Sequence, residues 1–235
     1  MEQELNELGQ PIGQRLENWQ APPYPEPGIL QGRHCRLEPL DPERHGCELY
    51  AANQADTTGA SWTYLPYGPF ESEVSYRDWL ETVCDRKDPL FYTIVDSVSE
   101  QASGLASYLR ITPDYGFIEV GHIHYSPGLK RTTAATEAMY LMMRQAFELG
   151  YRRYEWKCDA LNAPSRRAAE RLGFQFEGIF RQHLVNKGRN RDTAWYAIID
   201  SDWPGIKQAL EQWLSDSNFD KHGNQRTALS QLIPS

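Results

Sequence analysis

Residues 117–180 constrain the fold more than any other stretch, because strand-like and helix-like patterns alternate there in a fixed order. The run FIEVGHIHY (Phe117–Tyr125) has the composition of a β-strand. Small and apolar residues then recur at helical spacing and predict a helix over about Thr132–Leu149. YRRYEWKCD (Tyr151–Asp159) predicts the next strand, and a short helix follows it over about Pro164–Leu172. Such strand–helix–strand connections are right-handed crossovers, so the two strands are expected to be parallel neighbours.

The flanking sequence adds further strands and helices to this unit. Strands are predicted at His34–Leu40, Leu90–Asp96 and Gly104–Thr112, and helices at about 42–54 and 75–84. The last two of these strands and the strand at 117–125 are expected to form three consecutive antiparallel strands. A closing hairpin around KGRNR (Lys187–Arg191) and a C-terminal helix complete the predicted pattern. KGRNR itself predicts a solvated turn, with Gly188 and Asn190 as turn residues.

The two ends of the chain differ from this α/β middle part. Residues 1–32 contain five prolines and predict an extended arm, with Trp19 and Tyr24 as its expected anchors. Residues 33–203 are expected to form one domain. Residues 204–235 are expected to form the C-terminal helix and a mobile tail.

Composition limits the kinds of partner that fit this chain. Its net charge of −8 opposes nucleic-acid binding, which depends on attraction to phosphate, and favours a cationic substrate. No apolar run approaches the roughly 20 residues that span a bilayer, and the polar start MEQELNELGQ is unlike a secretory signal. The four cysteines, at positions 35, 47, 84 and 158, lack CxxC spacing. They are expected to be reduced, buried thiols in a cytoplasmic protein.

Two segments at helix starts carry the strongest motifs: KRTTAATEA (Lys130–Ala138) and NAPSRRAAERLGF (Asn162–Phe174). Their place in the order strand–loop–helix–strand–helix–strand resembles the acyl-coenzyme A core of the GNAT superfamily of N-acetyltransferases. The nearest subgroup is the RimJ/RimL type, which acetylates the amino termini of ribosomal proteins. The resemblance covers roughly residues 33–203. It implies a mixed, mostly antiparallel sheet with a central parallel pair splayed around acyl-CoA, flanked by helices.

The loop before the first of these helices is the expected site of the coenzyme A diphosphate. The family pattern there is Gln/Arg-x-x-Gly-x-Gly/Ala, and this chain has Lys130, Thr133 and Ala135 at the three positions. Threonine in place of the first glycine adds a Cβ near the phosphates, whereas the helix N-terminus and the basic side chains favour an anion. An ordinary capped helix start is the alternative interpretation. The residues implied as cofactor contacts here are Lys130, Arg131, Thr132, Thr133, Ala134, Ala135 and Thr136.

Asn162 and Ser165 form the more specific motif. The Asn162 side chain can cap the following helix or reach a cofactor amide, and Ser165 lies in the first helical turn. In many GNAT enzymes a tyrosine seven residues after this asparagine protonates the leaving thiolate, but this chain has Ala169 there. RimJ/RimL-type enzymes also lack the tyrosine and have the serine. The resemblance therefore implies that Ser165 assists the thiolate, with helix capping alone as the alternative.

The strand HIHY (His122–Tyr125) is expected to lie at the reacting thioester. The resemblance implies an oxyanion-binding backbone N–H near His122–His124, with Ile123, His124 and Tyr125 as cofactor contacts. Strand alternation places His122 and His124 on one face and Glu119, Gly121, Ile123 and Tyr125 on the other. Either a histidine or Glu119, acting through water, could be the general base. The histidine pair lacks a third ligand at convincing spacing, so no metal is expected.

The segment SWTYLPYGPF (Ser61–Phe70) is unusually aromatic for a loop, and the resemblance places it over the acceptor site. Trp62, Tyr64, Tyr67 and Phe70 could form an aromatic wall around an amine, by shape or by cation–π contact. A small satellite core under the loop is the alternative interpretation. Trp156 and Cys158 on the later strand are expected to be core residues.

These patterns predict an N-acetyltransferase that moves acetyl from acetyl-CoA to an amine by direct transfer in a ternary complex. The acceptor is expected to be a protein N-terminal α-amine or a small-molecule amine, and the enzyme a monomer or homodimer. A non-catalytic acyl-CoA sensor or interaction module is the main alternative, because the tyrosine and the loop glycine are missing. An RNA-associated factor using KGRNR is a further alternative, which the negative charge disfavours.

Overall fold

The computed structural model describes residues 4–234, and its main feature is an eight-stranded sheet flanked by helices. The strands in this range are β1 (Glu4–Leu5), β2 (Pro11–Ile12), β3 (Leu30–Gln31), β4 (Cys35–Pro39), β5 (Leu90–Asp96), β6 (Ala102–Thr112), β7 (Phe117–Tyr125), β8 (Arg153–Asp159), β9 (Gln175–Asn186) and β10 (Arg189–Ile199). The helices are α1 (Pro42–Asn53), α2 (Glu73–Val83), α3 (Thr133–Glu148), α4 (Ala163–Arg171), α5 (Trp203–Leu214) and α6 (Leu229–Leu232).

The sheet has the strand order β3-β4-β5-β6-β7-β8-β10-β9. Every neighbouring pair is antiparallel except β7 and β8, which are parallel. Their pairing covers only Phe117–Val120 against Arg153–Trp156, although β7 continues to Tyr125 and β8 to Asp159. The two strands therefore separate at their carboxyl ends. This confirms the predicted mixed α/β sheet with a central, splayed parallel pair.

Each face of the sheet has its own hydrophobic core. The larger core lies under α3, α4 and α5 and includes the fully buried Tyr108 and Tyr154. The smaller core lies under α1 and α2 and includes Leu80 and Phe91. Burying one large apolar side chain contributes about 1.5–3 kcal/mol, so both layers hold the sheet firmly around the place where β7 and β8 separate.

A β-bulge at His122 interrupts β7. Ser107 of β6 pairs with Gly121 and Leu105 pairs with His124, so two residues of β7 oppose one residue of β6. His122 has φ 50°, in the left-handed region that a residue of a bulge adopts. An extra residue in one strand reverses the alternation of side chains beyond it.

The bulge makes the predicted assignment of strand faces wrong. Ile118 and Val120 pack in the larger core, so Glu119 between them points to the opposite face. Beyond the bulge, Ile123 and Tyr125 pack against that same larger core, and His122 and His124 contact aromatic residues of the smaller core. Glu119 therefore shares a face with the two histidines. The two histidines do share a face, as expected.

The N-terminal arm is held by prolines rather than by its aromatic residues. Pro22 and Pro25 are buried, whereas Trp19 is 38% exposed and Tyr24 is 39% exposed. The hydroxyl of Tyr151 donates a hydrogen bond to the carbonyl oxygen of Pro23 at 3.2 Å. Proline lacks an N–H and has a fixed φ, so an extended proline run can pack on a domain without leaving donors unpaired. The first three residues of the predicted arm lie outside the described residues.

The C-terminal segment 215–234 packs on α5 instead of forming the expected mobile tail. Buried Asn218 donates to the carbonyl oxygens of Trp213 (3.0 Å) and Thr227 (3.2 Å), and it accepts from the N–H of Thr227 at 2.9 Å. Leu229 of α6 is 1% exposed and belongs to the larger core. A buried amide with three satisfied bonds and an apolar anchor fixes this segment. Ser235 lies outside the described residues.

The cysteines differ in their surroundings. All four are free thiols; Cys35 and Cys158 are buried, whereas Cys84 is partly exposed and Cys47 is exposed. The expectation of buried thiols therefore holds for two of them. Within residues 4–234, the helices are all too short or too polar to cross a membrane.

Candidate active site

A cleft of about 1320 Å³ lies where β7 and β8 separate. One end is lined by Tyr64 of the segment 61–70 and by Glu119 of β7, and the middle by His124 and Ser165. At the other end the lining comes from the starts of α3 and α4 and from the C-terminal segment, including Gln225. The cleft thus brings together most of the residues that the sequence indicates, from three separate parts of the chain.

The end of the cleft at α3 carries unpaired positive charge. Lys130, Arg131, Arg167 and Arg171 line it, and none of them takes part in an ion pair among residues 4–234. Desolvation lowers the pKa of Arg171, whose guanidinium donates to the Thr136 hydroxyl at 3.1 Å. In a chain with a net charge of −8, such a group of free cations is suited to an anionic ligand.

The start of α3 has the geometry of an anion-binding helix N-terminus. The Thr132 hydroxyl oxygen caps the helix by accepting from the Ala135 N–H at 3.1 Å, and Arg131 has φ 64°. Thr133 and Thr136 also line the cleft, whereas the buried Ala134 does not. The capped start and the neighbouring cations together favour a diphosphate at this position.

Asn162 and Ser165 have distinct roles in the structure. The Asn162 side-chain oxygen caps α4 by accepting from the Ser165 N–H at 3.2 Å. The Ser165 hydroxyl oxygen accepts from the Trp156 indole N–H at 3.0 Å. A hydroxyl has one donor and two acceptor positions, so this bond leaves the Ser165 proton free to be donated into the cleft. Ala169 is fully buried and does not line the cleft.

Trp156 was expected to be a core residue only. It is 5% exposed and packs with Phe174, which agrees with that prediction, but its indole also holds the Ser165 hydroxyl. The sequence contains a weak signal for this role, since Trp156 points the same way as Cys158 towards the following helix. Cys158 lines the cleft, and burial raises the pKa of its thiol.

The two histidines of β7 are held neutral by their surroundings. Burial, and then the charge of Arg191, lowers the pKa of His122 to about 4, and burial lowers that of His124 to about 3. The Nδ1 atom of His122 lies 3.1 Å from the Tyr67 hydroxyl, and the Nε2 atom of His124 lies 3.0 Å from the Ser61 hydroxyl. Both rings are desolvated, which disfavours their protonated forms.

Glu119 is the best-placed carboxylate in the cleft. It is 5% exposed, and its Oε2 atom forms ion pairs with Lys157 Nζ at 3.0 Å and Arg110 Nε at 3.3 Å. Burial raises its pKa, and the charges of Lys157 and Arg110 oppose that effect without cancelling it. A desolvated carboxylate of this kind is a stronger proton acceptor than a solvated one.

Lys157 was not singled out from the sequence, yet it organises this end of the site. Its Nζ lies 2.6 Å from Glu155 Oε2, 3.0 Å from Glu119 Oε2 and 3.7 Å from the centre of the Trp195 ring. The alternation of a lysine with Trp156 and Cys158 in one strand was an available signal. A buried lysine needs such carboxylate partners to remain charged.

Only one of the four aromatic residues predicted to bind the acceptor lines the cleft. Trp62, Tyr67 and Phe70 pack with the smaller core. The Trp62 ring also stacks on the His124 ring, with 3.6 Å between the ring centres. This is the satellite-core arrangement, and apolar burial accounts for it. Tyr64 does line the cleft, and its hydroxyl donates to the Leu161 carbonyl oxygen at 3.2 Å.

The hairpin of β9 and β10 reaches back to the segment 61–70. The Lys187 ammonium donates to the carbonyl oxygens of Trp62 (2.9 Å) and Gly68 (2.8 Å). The turn at KGRNR consists of Lys187 and Gly188, with φ 48° and 73°, whereas Asn190, which was predicted as a turn residue, lies in β10 and pairs with Val185. The turn is therefore not simply solvated, because its lysine binds the loop beside the cleft. The described residues, 4–234, contain no group of three or more His, Cys, Asp or Glu side chains arranged to hold a metal.

Comparison with known proteins identifies the relatives of this chain. The family model described as an acetyltransferase (GNAT) domain matches residues 35–175. A crystal structure of a GCN5-related N-acetyltransferase from Brucella melitensis is similar at 47% identity, covering 93% of this chain and 99% of that one, with a TM-score of 0.91. The protein named uncharacterized N-acetyltransferase p20, from Bacillus licheniformis, is 24% identical over 72% of this chain and 100% of its own length.

A ribosomal-protein acetyltransferase shares the fold at lower identity. The structure of RimL, a ribosomal L7/L12 α-N-protein acetyltransferase in complex with coenzyme A, has 20% identity and a TM-score of 0.60. The match covers 73% of this chain and 98% of that one. At this identity the likeness concerns the fold alone.

Proposed function

Because this chain belongs to the GNAT family of acetyltransferases, which use acetyl-CoA, we propose that it transfers acetyl directly to an amine bound beside the cofactor. The observation that supports this most is the cleft between β7 and β8, with free cations at one end and the desolvated Glu119 at the other. Bound acetyl-CoA would supply the activated acetyl thioester. Holding both reactants in one cleft makes the transfer effectively unimolecular.

The side chains around the cleft suit three separate tasks. Glu119 accepts the proton that the attacking amine loses, because it is the buried carboxylate with a raised pKa. A backbone N–H near His122–His124, where the bulge turns the strand, donates to the carbonyl oxygen as its negative charge develops. The Ser165 hydroxyl donates its proton towards the departing sulfur, while Trp156 holds its oxygen.

Lys130, Arg131 and the start of α3 are suited to the phosphates of the cofactor. We expect the double substitution Lys130→Ala and Arg131→Ala to weaken acetyl-CoA binding by about 1–3 kcal/mol, because charge-assisted contacts are lost. Isothermal titration calorimetry measures this directly. The double substitution Arg86→Ala and Lys87→Ala removes the same charge from an exposed pair outside the cleft, and it should leave binding unchanged. Equal losses in both variants would contradict a local phosphate contact.

Ser165→Ala should lower kcat by about 10–100-fold and change acetyl-CoA affinity little, since the hydroxyl acts mainly in the transition state. Steady-state kinetics at saturating acetyl-CoA, together with calorimetry, separates the two effects. Trp156→Phe retains the ring but removes the bond that orients the hydroxyl, so it should give a smaller loss of kcat. If Ser165→Ala instead abolished binding and left kcat intact, the serine would only bind the cofactor.

We propose that the acceptor is a protein N-terminal α-amine or a small-molecule amine. We also propose that the enzyme is a monomer or a homodimer and that it is cytoplasmic. A non-catalytic acyl-CoA sensor is the second candidate, favoured by Ala169 and Thr133 at the positions where many GNAT enzymes have tyrosine and glycine. Thiol release from acetyl-CoA across a panel of amines tests the choice. Tight coenzyme binding without acetylation of any amine would favour the sensor.

A further inference from the structure

Arg191 of β10 is an unpaired cation in the acceptor end of the cleft. Its side chain lines the cleft, and its Nε atom is buried without a hydrogen-bond partner. Among residues 4–234, no ion pair or side-chain hydrogen bond involves its guanidinium. Leaving a buried charged donor unsatisfied is costly, so water or a bound acidic group has to complete the Arg191 guanidinium.

Arg191 lies on β10 two residues before Thr193, which pairs with Asp159 at the carboxyl end of β8, where β7 and β8 have separated. Burial and then the charge of Arg191 lower the pKa of His122 on the bulge. Burial raises the pKa of Cys158, and Ser165 and then Arg191 act against that rise. Arg191 is therefore within electrostatic reach of both strands at the point where they separate. Lys130 and Arg131 line the same cleft next to the start of α3.

The cations around Glu119 and Glu155 are all paired with these carboxylates. Arg110 contacts Glu119 at 3.3 Å, Lys157 contacts Glu119 and Glu155, and Arg153 contacts Glu155 at 2.7 Å. Arg191 alone among these four lacks one in the described part of the chain. A guanidinium presents N–H donors in a planar fork that matches a carboxylate.

We propose that Arg191 binds an acidic group of the acceptor, so that the substrate is an amine that also carries a carboxylate. Glu119 then receives the amine end of the acceptor and Arg191 its acidic end, within one cleft. This inference rests on the proposed transferase function. It narrows the acceptor to a free amino acid or a similar small amino acid, or to an N-terminus whose first side chain is acidic.

Pairs of free L-amino acids and their amides test this proposal, since an amide keeps the amine and removes the carboxylate. At saturating acetyl-CoA, the free amino acid of each pair should be acetylated with at least about 10-fold higher kcat/KM than its amide. The reason is that the amide lacks the carboxylate that forms the bidentate contact with Arg191. Arg191→Gln should abolish that preference without changing the KM for acetyl-CoA. A preference for the amides, or an unchanged preference in the variant, would overturn the proposal.

Two controls separate this inference from folding and from the transferase proposal. Arg189→Gln removes the same charge from an exposed position of the same hairpin, outside the cleft, and should change nothing. The Arg191 side chain donates no hydrogen bond within the described residues, so Arg191→Gln should melt at the wild-type temperature. Calorimetry with N-acetyl-amino acids and their amides needs no turnover. Tighter binding of the acids, lost in Arg191→Gln, supports the proposal even if no amine is acetylated, and equal binding of both overturns it.

Discussion

Glu119→Gln should lower kcat/KM for amine acetylation by about 10²–10⁴-fold, the usual contribution of a general base. The substitution keeps the size of the side chain but removes its ability to accept a proton. The other carboxylates that line the cleft, Asp56 and Asp159, accept the N–H groups of Ser61 and Leu161, each at 2.8 Å, whereas Glu119 contacts two side-chain cations and burial raises its pKa. Initial rates at low amine concentration, with acetyl-CoA saturating, measure the effect.

The pH profile gives a second measurement of the same residue. A general base works only when ionised, so wild-type kcat/KM should rise with pH as Glu119 loses its proton. Burial raises the pKa of Glu119, so this rise should be centred above the ordinary glutamate value of about 4.3. The acidic limb should be absent from the profile of Glu119→Gln. Neither His122 nor His124 should contribute a limb near pH 6.5, because burial lowers both pKa values.

Stability distinguishes this loss of activity from unfolding. A carboxyl whose pKa is raised in the folded state stabilises the fold below its unfolded pKa, and that contribution is lost as the pH rises through the folded pKa. At alkaline pH, Glu119→Gln should therefore be no less stable than the wild type. Glu155→Gln removes the same charge from the other partner of Lys157, and Glu155 does not line the cleft. If Glu155→Gln lowered the rate as much as Glu119→Gln, the loss would come from the ion pairs of Lys157 and Glu119 would not be the proton acceptor.

Glu137→Ala should lower the free energy of unfolding by about 3–5 kcal/mol, the range for breaking a buried charged network. Glu137 lies on α3 and is 4% exposed. Its carboxylate accepts from the backbone N–H groups of Arg33 (3.0 Å), His34 (2.6 Å) and Cys35 (2.8 Å), at the start of β4. Removing it leaves three donors without their acceptor, and each such bond to a charged group contributes about 1.5–3 kcal/mol before non-additivity.

Urea unfolding followed by circular dichroism measures this change. Glu148→Ala on the same helix is the matched control, because its contact with Arg144 is an exposed pair at 4.0 Å that contributes at most about 1 kcal/mol. Glu137→Gln retains one acceptor oxygen and should be intermediate. A loss below about 1 kcal/mol for Glu137→Ala would mean that water replaces the carboxylate. Glu137 is the glutamate of the Thr-Glu-Ala run after the cofactor loop, so this part of the motif serves the fold.

Local patterns were enough to predict most of the fold. Helical spacing gave α3, and the crossover rule gave the parallel pairing of β7 and β8, because both depend on residues close together in sequence. The helix predicted at 42–54 is observed as α1, and the Asp41 carboxylate caps it by accepting the N–H groups of Glu43 (2.9 Å) and Arg44 (3.1 Å).

The site was harder to predict because it depends on contacts distant in sequence. Lys157 has one carboxylate partner on its own strand, Glu155, and one on β7, Glu119, whereas Arg191 has no carboxylate partner within the described residues. Trp62 and Tyr64 are two residues apart in one aromatic run, yet one is in the core and the other in the cleft. The C-terminal segment has little apolar periodicity, and one buried asparagine and one leucine hold it. Burial of this kind has no local signature.

Because of the bulge at His122, the side-chain directions of β7 depend on the number of residues in the strand. Deleting one residue there would restore regular alternation with β6 and would exchange inner and outer positions for one half of the strand. Either Glu119 would face the larger core and Ile118 the cleft, or the histidines and Ile123 would trade places. A substitution at the bulge changes one side chain, whereas a deletion would change which side chains of β7 face the cleft. Attempts to transplant this site into another sheet therefore have to copy the spacing of the strand as well as its residues.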